Sequence, residues 1–253
     1  MKIGADPELF LVGANSALIS SIGIIGGTKA FPRAIGREGC AVQEDNVAVE
    51  FNIPPCADVR AFVECINYNL EYLSSEVSKR NLSLHITPSE VFPDSQLEHP
   101  DAKRFGCDPD MNAWTGMLNP PPRSKNPNLR SAGGHIHVGF DGEKLNELEV
   151  VKAMDVFLGL SSVTLDPDKR RRELYGKAGA CRVKPYGVEY RTLSNFWLKS
   201  DELKEWAFNQ TTKAVKFIRD GGSFDEDVGR AIQRAINVGD EKLSKALCVE
   251  YGV

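Results

Sequence analysis

Four separate segments of this sequence place charged, amide or imidazole side chains two residues apart inside runs that read as β-strands. They are Asp6 and Glu8, Glu50 and Asn52, His135 and His137, and Glu189 and Arg191. Residues i and i+2 of a strand project to one face, so each pair commits a strand face to polar chemistry. Taken singly, each pair has an ordinary explanation. A solvated sheet face accounts for Asp6 and Glu8. A turn residue followed by an exposed strand carboxylate accounts for Asp45 and Glu50 as well as a ligand pair does. Glu189 and Arg191 can be a plain ion pair. His135 and His137 are more distinctive, because Gly133, Gly134 and Gly139 bound their segment, although an H-x-H pair also occurs in cores. The joint occurrence of all four favours convergence on one surface.

Convergence has a physical consequence. Carboxylates held close together raise each other's pKa, and a bound cation removes that penalty. A carboxylate-rich set with imidazole suits Mg²⁺ or Mn²⁺ better than structural zinc. Magnesium in turn works with substrate phosphates, which connects the spacing to nucleotide chemistry.

Anion-binding groups occur further along the chain. Arg170, Arg171, Arg172, Arg182 and Arg191 cluster with Gly176, Gly179 and Gly187. Arginine binds phosphate and carboxylate bidentately and keeps its charge. A solvated basic loop explains the block equally well in isolation; beside an acidic cluster, anion binding is favoured. No P-loop, dinucleotide fingerprint, nucleophile elbow or H-E-x-x-H motif is present, so phosphate binding here would rest on metals and arginines.

The rest of the chain supports an antiparallel α+β fold. The first fifty residues alternate short apolar runs with Gly-rich turns and read as strands. From Asp58 the period changes: Phe62, Ile66, Leu70, Leu73 and Val77 share a helical face, predicting a helix over about 58–80 with Asp58 as N-cap. A further helix is expected over 143–160, a strand over 182–198, and two or three helices over 201–248. Residues 88–128 carry eight of the fourteen prolines but keep Phe105, Trp114 and Met117. They are expected to form an ordered active-site loop in which Asp108, Asp110 and Trp114 position an amine or close over an intermediate; a packed surface excursion is nearly as good a reading. No linker divides the chain, so 1–253 is expected to be a single domain ending in the C-terminal helices of 201–253. Strands and helices do not alternate in βαβ order, which disfavours a parallel sheet.

Composition excludes some roles. A net charge of −4 gives no attraction to nucleic acid. The six cysteines form no C-x-x-C pair, and reduced thiols in a cytoplasm are expected. Asp6 and Glu8 fall where a secretory signal needs an apolar core. The apolar stretch from Ile19 to Gly27 is too short to span a bilayer, so no membrane association is expected.

In this order, GADPELF, QEDNVAVEFNIPP, FGCDPDMNAW, RSAGGHIHVGF and YGKAGACRVKPYGVEYRTLSNFW resemble the phage-type COOH·NH2 ligase (amidoligase) type 2 family, of the glutamine synthetase and glutamate–cysteine ligase superfamily. The similarity spans roughly residues 1–200. It implies a glutamine synthetase catalytic-domain-like fold, an antiparallel sheet whose concave face binds ATP and Mg²⁺ or Mn²⁺, with helices packed behind. Carried over residue by residue, it implies metal ligands at Asp6, Glu8, Asp45, Glu50, His135 and Glu189, with Glu44 as the alternative to Asp45. His135, His137, Arg171, Arg172 and Arg182 are implied nucleotide contacts. Glu50, Arg182, Glu189 and Arg191 are implied catalytic residues. The implied activity is ATP-dependent joining of a carboxylate and an amine, small-molecule or peptide, through an acyl phosphate. A guanidino or amino phosphotransferase, a single-metal hydrolase using His135 and His137, and a non-catalytic nucleotide-binding module are the competing readings. Neither the substrates nor the oligomeric state is legible.

Overall fold

The computed structural model describes residues 1–103 and 110–253; Phe105 and Asp108 of the Pro-rich stretch therefore lie outside the described residues. Strands run at Lys2–Ala5 (β1), Glu8–Val12 (β2), Leu18–Ile19 (β3), Arg33–Ala34 (β4), Ala41–Asp45 (β5), Ala48–Asn52 (β6) and Ser83–His85 (β7). They continue at Ser89–Val91 (β8), Met111–Asn112 (β9), Met117–Leu118 (β10), Leu129–Ser131 (β11), Ile136–Gly139 (β12), Ala180–Lys184 (β13) and Gly187–Tyr190 (β14). The α-helices are Val59–Ser78 (α1), Glu147–Met154 (α2), Leu160–Leu165 (α3), Arg171–Leu174 (α4), Asp201–Arg219 (α5), Glu226–Val238 (α6) and Glu241–Tyr251 (α7).

The strands pair antiparallel in two main sheets, ordered β1-β12-β14-β13-β9-β10 and β3-β2-β6-β5-β4, with β7 also on β2 and a separate β8-β11 pair. The chain passes from the first sheet to the second through Asp6-Pro7. Proline has no N–H to give to a ladder, and the bend falls there. Hydrogen bonds continue on both sides of it. Glu8 N–H donates to the Gly133 carbonyl at 2.9 Å, and Ile53 N–H and Phe51 N–H donate to Ala5 and Pro7 at 3.1 and 3.2 Å. The two sheets therefore share one bent surface centred on residues 5–8.

Strand alternation divides that surface. In the first sheet Gly4, His137, Glu189 and Arg182 are register partners across four strands, and Gly139, Gly187 and Lys184 line up beside them. The opposite face carries Ile3, Ile136, Val138, Val188 and Tyr190, all fully buried. Helices cover this apolar face, where Phe62, Ile66, Val150, Met154 and Val215 join the same core. Burying one such side chain contributes roughly 1.5–3 kcal/mol.

Helix α1 follows its sequence pattern. The Asp58 carboxylate caps it by accepting the Ala61 N–H at 2.9 Å. The helix stops where Asn81 takes a left-handed φ of 57° and Leu82 N–H returns to the Val77 carbonyl at 3.2 Å. Its face from Phe62 to Val77 packs against α5 and the sheet, with the Phe62 ring 5.4 Å from Phe208 and 5.9 Å from Trp197.

Two expectations are corrected. The helix placed at 143–160 starts at Glu147, because the Asn146 side chain caps Leu148 and Glu149 N–H groups; it then widens into a π-helical turn, Asp155–Gly159, before α3. The strand placed at 182–198 is a hairpin that turns at Pro185-Tyr186, followed by a 3₁₀ segment, Asn195–Lys199. The stretch 88–128, expected as an ordered loop, carries the short strands β8, β9 and β10 among its described residues. The C-terminal segment does form three helices, α5 to α7. Among the described residues, no helix is long and apolar enough to cross a membrane.

Candidate metal and anion site

The bend at Pro7 places Asp6 and Glu8 at the junction of the sheets, and each joins a different group of ligand-type side chains. Asp6, His137 and Glu189 form one, with His137 in the place that the resemblance implies for His135; Glu8, Asp45 and Glu50 form the other. Within each group, one potential ligand atom per residue lies within 4.8 Å of the others.

In the first group Asp6 Oδ1 stands 3.0 Å from His137 Nε2 and 3.4 Å from His135 Nδ1. Burial opposes ionisation of Asp6, but His137 and His135 outweigh it and hold the carboxyl well below its ordinary range. Burial likewise works against Glu189, yet Arg191 beside it holds that carboxyl at about 2. Lys184 Nζ lies 2.8 Å and Arg182 Nη1 3.7 Å from Glu189. His135 is buried between these charges. Desolvation, assisted by Arg191, lowers its imidazole to about 4, so it is neutral at neutral pH. His137 behaves oppositely: burial disfavours its charge, but Asp6 outweighs that and raises its pKa.

The second group holds three carboxylates bonded to neutral donors. Glu8 accepts the Gly133 N–H at 2.6 Å, Glu50 accepts the Gln43 amide at 2.8 Å, and Asp45 accepts the Asn46 amide at 3.0 Å. Nearby cations act on them, Arg191 and Arg171 on Glu8 and Lys29 on Asp45, but do not offset burial. Burial and the neighbouring Asp45 push Glu8 up to about 7. Burial and then Asp6, Glu8 and Asp45 push Glu50 well above its usual value. Burial raises Asp45 too, outweighing Lys29. Such mutual repulsion in a buried place fits a cation-binding pocket: a divalent ion would replace protons as the compensating charge. Oxygen-only ligands here, and an imidazole in the first group, match the preferences of Mg²⁺ and Mn²⁺.

Backbone register separates Glu44 from Asp45. Glu44 pairs with Val49 on the other face of β5. Its carboxylate accepts the N–H groups of Gly23, Ile25 and Gly26 at 2.9, 2.9 and 2.7 Å, pinning the Gly-rich loop. Asp45 is the residue beside Glu8 and Glu50.

Two glycines let the strands approach. A Cβ on Gly133 would stand 2.2 Å from the His135 ring, and one on Gly134 would stand 2.2 Å from the Ser194 carbonyl. Side chains at these positions would expel the imidazole or the 3₁₀ segment.

The arginines divide. Arg191 bonds Glu189, lies 3.3 Å from His135 Nδ1, and sets its Nε 3.6 Å from Asp110 Oδ2. Arg182 is the register partner of Glu189. Arg171 lines the same cleft as Glu8, Asp45, Gly133 and Arg191. Its guanidinium donates to the Thr192 and Arg191 carbonyls at 2.8 and 3.2 Å, and burial lowers it to about 10. The structure does not bring Arg172 to these groups; its Nη2 points to Ser162 Oγ at 3.4 Å. On the other side of the first group a second cleft is lined by Lys2, Asn52, His137, Asp141 and Tyr186.

Several participants were not singled out from sequence. Lys184 bonds Glu189, Gln43 bonds Glu50, and Tyr186 Oη lies 2.5 Å from His137 Nδ1. The i+2 spacing could have found two of them, since Lys184 shares a face with Arg182 and Gln43 with Asp45. Tyr186 sits on the hairpin turn, where no periodicity points to a face.

Residues 126–228 match the family model described as Phage phiEco32-like COOH.NH2 ligase-type 2, the family that the sequence motifs resemble. The matched stretch carries His135, His137, Arg182, Glu189 and Arg191; Asp6, Glu8, Asp45 and Glu50 precede it. Among solved structures the chain is similar to one described as "Apo GmaS without ligand", with 12% identity, a TM-score of 0.39, and coverage of 99% of this chain and 69% of that chain. A comparison with curated proteins gives no match.

Proposed function

We propose that this chain is an ATP-dependent carboxylate–amine ligase that forms an amide or peptide-type bond. The reading is carried by one observation: two three-ligand groups stand side by side across Asp6-Pro7-Glu8, on a sheet face that also presents Arg182, Lys184 and Arg191. The family match supports the ligase class; ATP and the acyl phosphate are the finer part of the proposal.

Asp6, His137 and Glu189 would hold one divalent cation, Mg²⁺ or Mn²⁺, and Glu8, Asp45 and Glu50 another. When bound, these ions supply charge neutralisation for a triphosphate and for a phosphoryl group in transfer. The remaining tasks fall to the chain itself. Arg191 and Arg182 present fixed positive charge to the transferring group. Neutral His135 orients Arg191 and Asp6 without adding charge. Asp110, on the loop that carries Trp114, holds Arg191 from its other edge and narrows water's access, which protects an acyl phosphate.

The reaction then balances as two steps. A substrate carboxylate oxygen attacks the γ-phosphorus of ATP and ADP leaves, giving an acyl phosphate. An amine nitrogen attacks the acyl carbon, the C–O bond to phosphate breaks, and the nitrogen loses a proton to water.

The test is ADP release from Mg·ATP across a panel of amino acids and peptides. Release that needs both a carboxylate and an amine, with a new amide found by mass spectrometry, supports the proposal. A phosphorylated amine would identify a phosphotransferase instead, and nucleotide binding without ADP formation would identify a binding module. Glu50→Ala should lose activity by about 100-fold or more; full turnover in that variant contradicts the assignment.

A further inference from the structure

Behind the charged face, on the side that the helices cover, one carboxylate gathers donors from distant parts of the chain. Asp155 is fully buried and opens the π-helical turn between α2 and α3. Its Oδ2 accepts the Trp114 indole N–H at 2.7 Å, and its Oδ1 accepts the Tyr190 hydroxyl at 2.8 Å. The Thr192 hydroxyl lies 3.2 Å from the same Oδ1 and 3.0 Å from the Lys177 carbonyl. Gly159, at the end of the turn, keeps this approach open, since a Cβ there would stand 2.9 Å from Tyr190 Oη.

A buried carboxylate without a cation is expensive; burial pushes Asp155 up to about 7 despite the donors around it. Among the described residues, none of its hydrogen bonds comes from a charged side chain. An apolar side chain of similar size would serve packing as well or better. The donors share something else. Tyr190 and Thr192 are the chain neighbours of Arg191. Trp114 belongs to the loop that brings Asp110 to within 3.6 Å of Arg191 Nε. That loop is further tied to β13 by the Ala113 N–H bond to the Gly179 carbonyl at 2.9 Å. π-Turns of this kind recur near functional sites.

We propose that Asp155 is a positioning residue for Arg191, acting from behind the sheet by fixing both the strand that carries the arginine and the loop that carries its Asp110 partner. Its effect on turnover rests on the ligase reading; its effect on order around Arg191 does not.

Two variants separate these. Asp155→Asn turns an N–H₂ toward one of the donors, setting donor against donor. Trp114→Phe removes one arm and keeps a ring in place. Hydrogen exchange should quicken about tenfold or more in residues 110–119 and 188–193 of Asp155→Asn, and in 110–119 of Trp114→Phe, with α5 unchanged. Mn²⁺ affinity should stay within about twofold of wild type, while kcat for ADP formation from Mg·ATP falls about tenfold and KM for ATP changes little. Unchanged exchange in both segments, or a loss of kcat matched by equal loosening of α5, overturns the inference. If wild-type protein forms no ADP, the ligase reading fails and the exchange pattern alone decides the role of Asp155.

Discussion

Glu8 and Glu50 stand directly opposite each other on adjacent antiparallel strands, and both are buried. Like charges in that relationship destabilise a sheet. Here Asp45 adds a third carboxylate, and the protein answers with raised proton affinity in all three. A chain selected only for stability would place apolar or oppositely charged residues there.

Glu50→Gln mimics the protonated carboxyl and can still accept from Gln43. Its melting temperature without metal should equal or exceed wild type, by up to about 1 kcal/mol of stability. The stabilisation that Mg²⁺ or Mn²⁺ gives wild type should disappear. Thermal unfolding with and without the ion checks both halves; a variant that is less stable without metal yet keeps the full ion effect contradicts the assignment.

Much of this arrangement was legible in the sequence. The two-residue spacing of Glu189 and Arg191 shows which face that strand offers, whereas Asp6 and Glu8, read as one strand pair, are parted by the bend at Pro7 and join different groups. The periodicity from Phe62 to Val77 and the Asp58 cap define α1. What stayed hidden depends on local register or on distant contacts. Glu44 and Asp45 differ by one position, so only strand pairing separates the loop anchor from the site carboxylate. Arg171 and Arg172 read as one basic block, but the short α4 turns their guanidinium groups to different partners. Asp155 falls within the helix expected over 143–160, and a π-turn leaves no mark in a 3.6-residue pattern.

Cation binding should be linked to proton release. Glu8 is raised to about 7 from an ordinary value of 4.5, so free protein at pH 6 holds a proton there that the bound form must give up. Affinity for Mn²⁺ should therefore weaken as pH falls from 8 to 6, by about tenfold in all for the Glu8 proton, with most of the loss below pH 7. Calorimetry in buffers of different ionisation enthalpy reads the proton count directly. Binding at pH 6 with no proton released counts against the second group as a cation site.

Gly134→Ala should be severely destabilising. Its Cβ would meet the Ser194 carbonyl at 2.2 Å and Trp197 Nε1 at 2.4 Å, where the indole donates to the Gly134 carbonyl at 3.1 Å. Both obstacles are buried, so relief requires the 3₁₀ segment to move. A loss of about 2–3 kcal/mol or more is expected by denaturant unfolding. A loss within 0.5 kcal/mol, roughly the level of an innocuous surface change, contradicts the packing described.

The most direct measurement is anomalous diffraction from crystals grown with Mn²⁺. Two peaks should appear on either side of Pro7, one bounded by Asp6, His137 and Glu189 and the other by Glu8, Asp45 and Glu50. Density confined to other surfaces, with both carboxylate groups free of metal at saturating Mn²⁺ and neutral pH, would contradict the account at its centre.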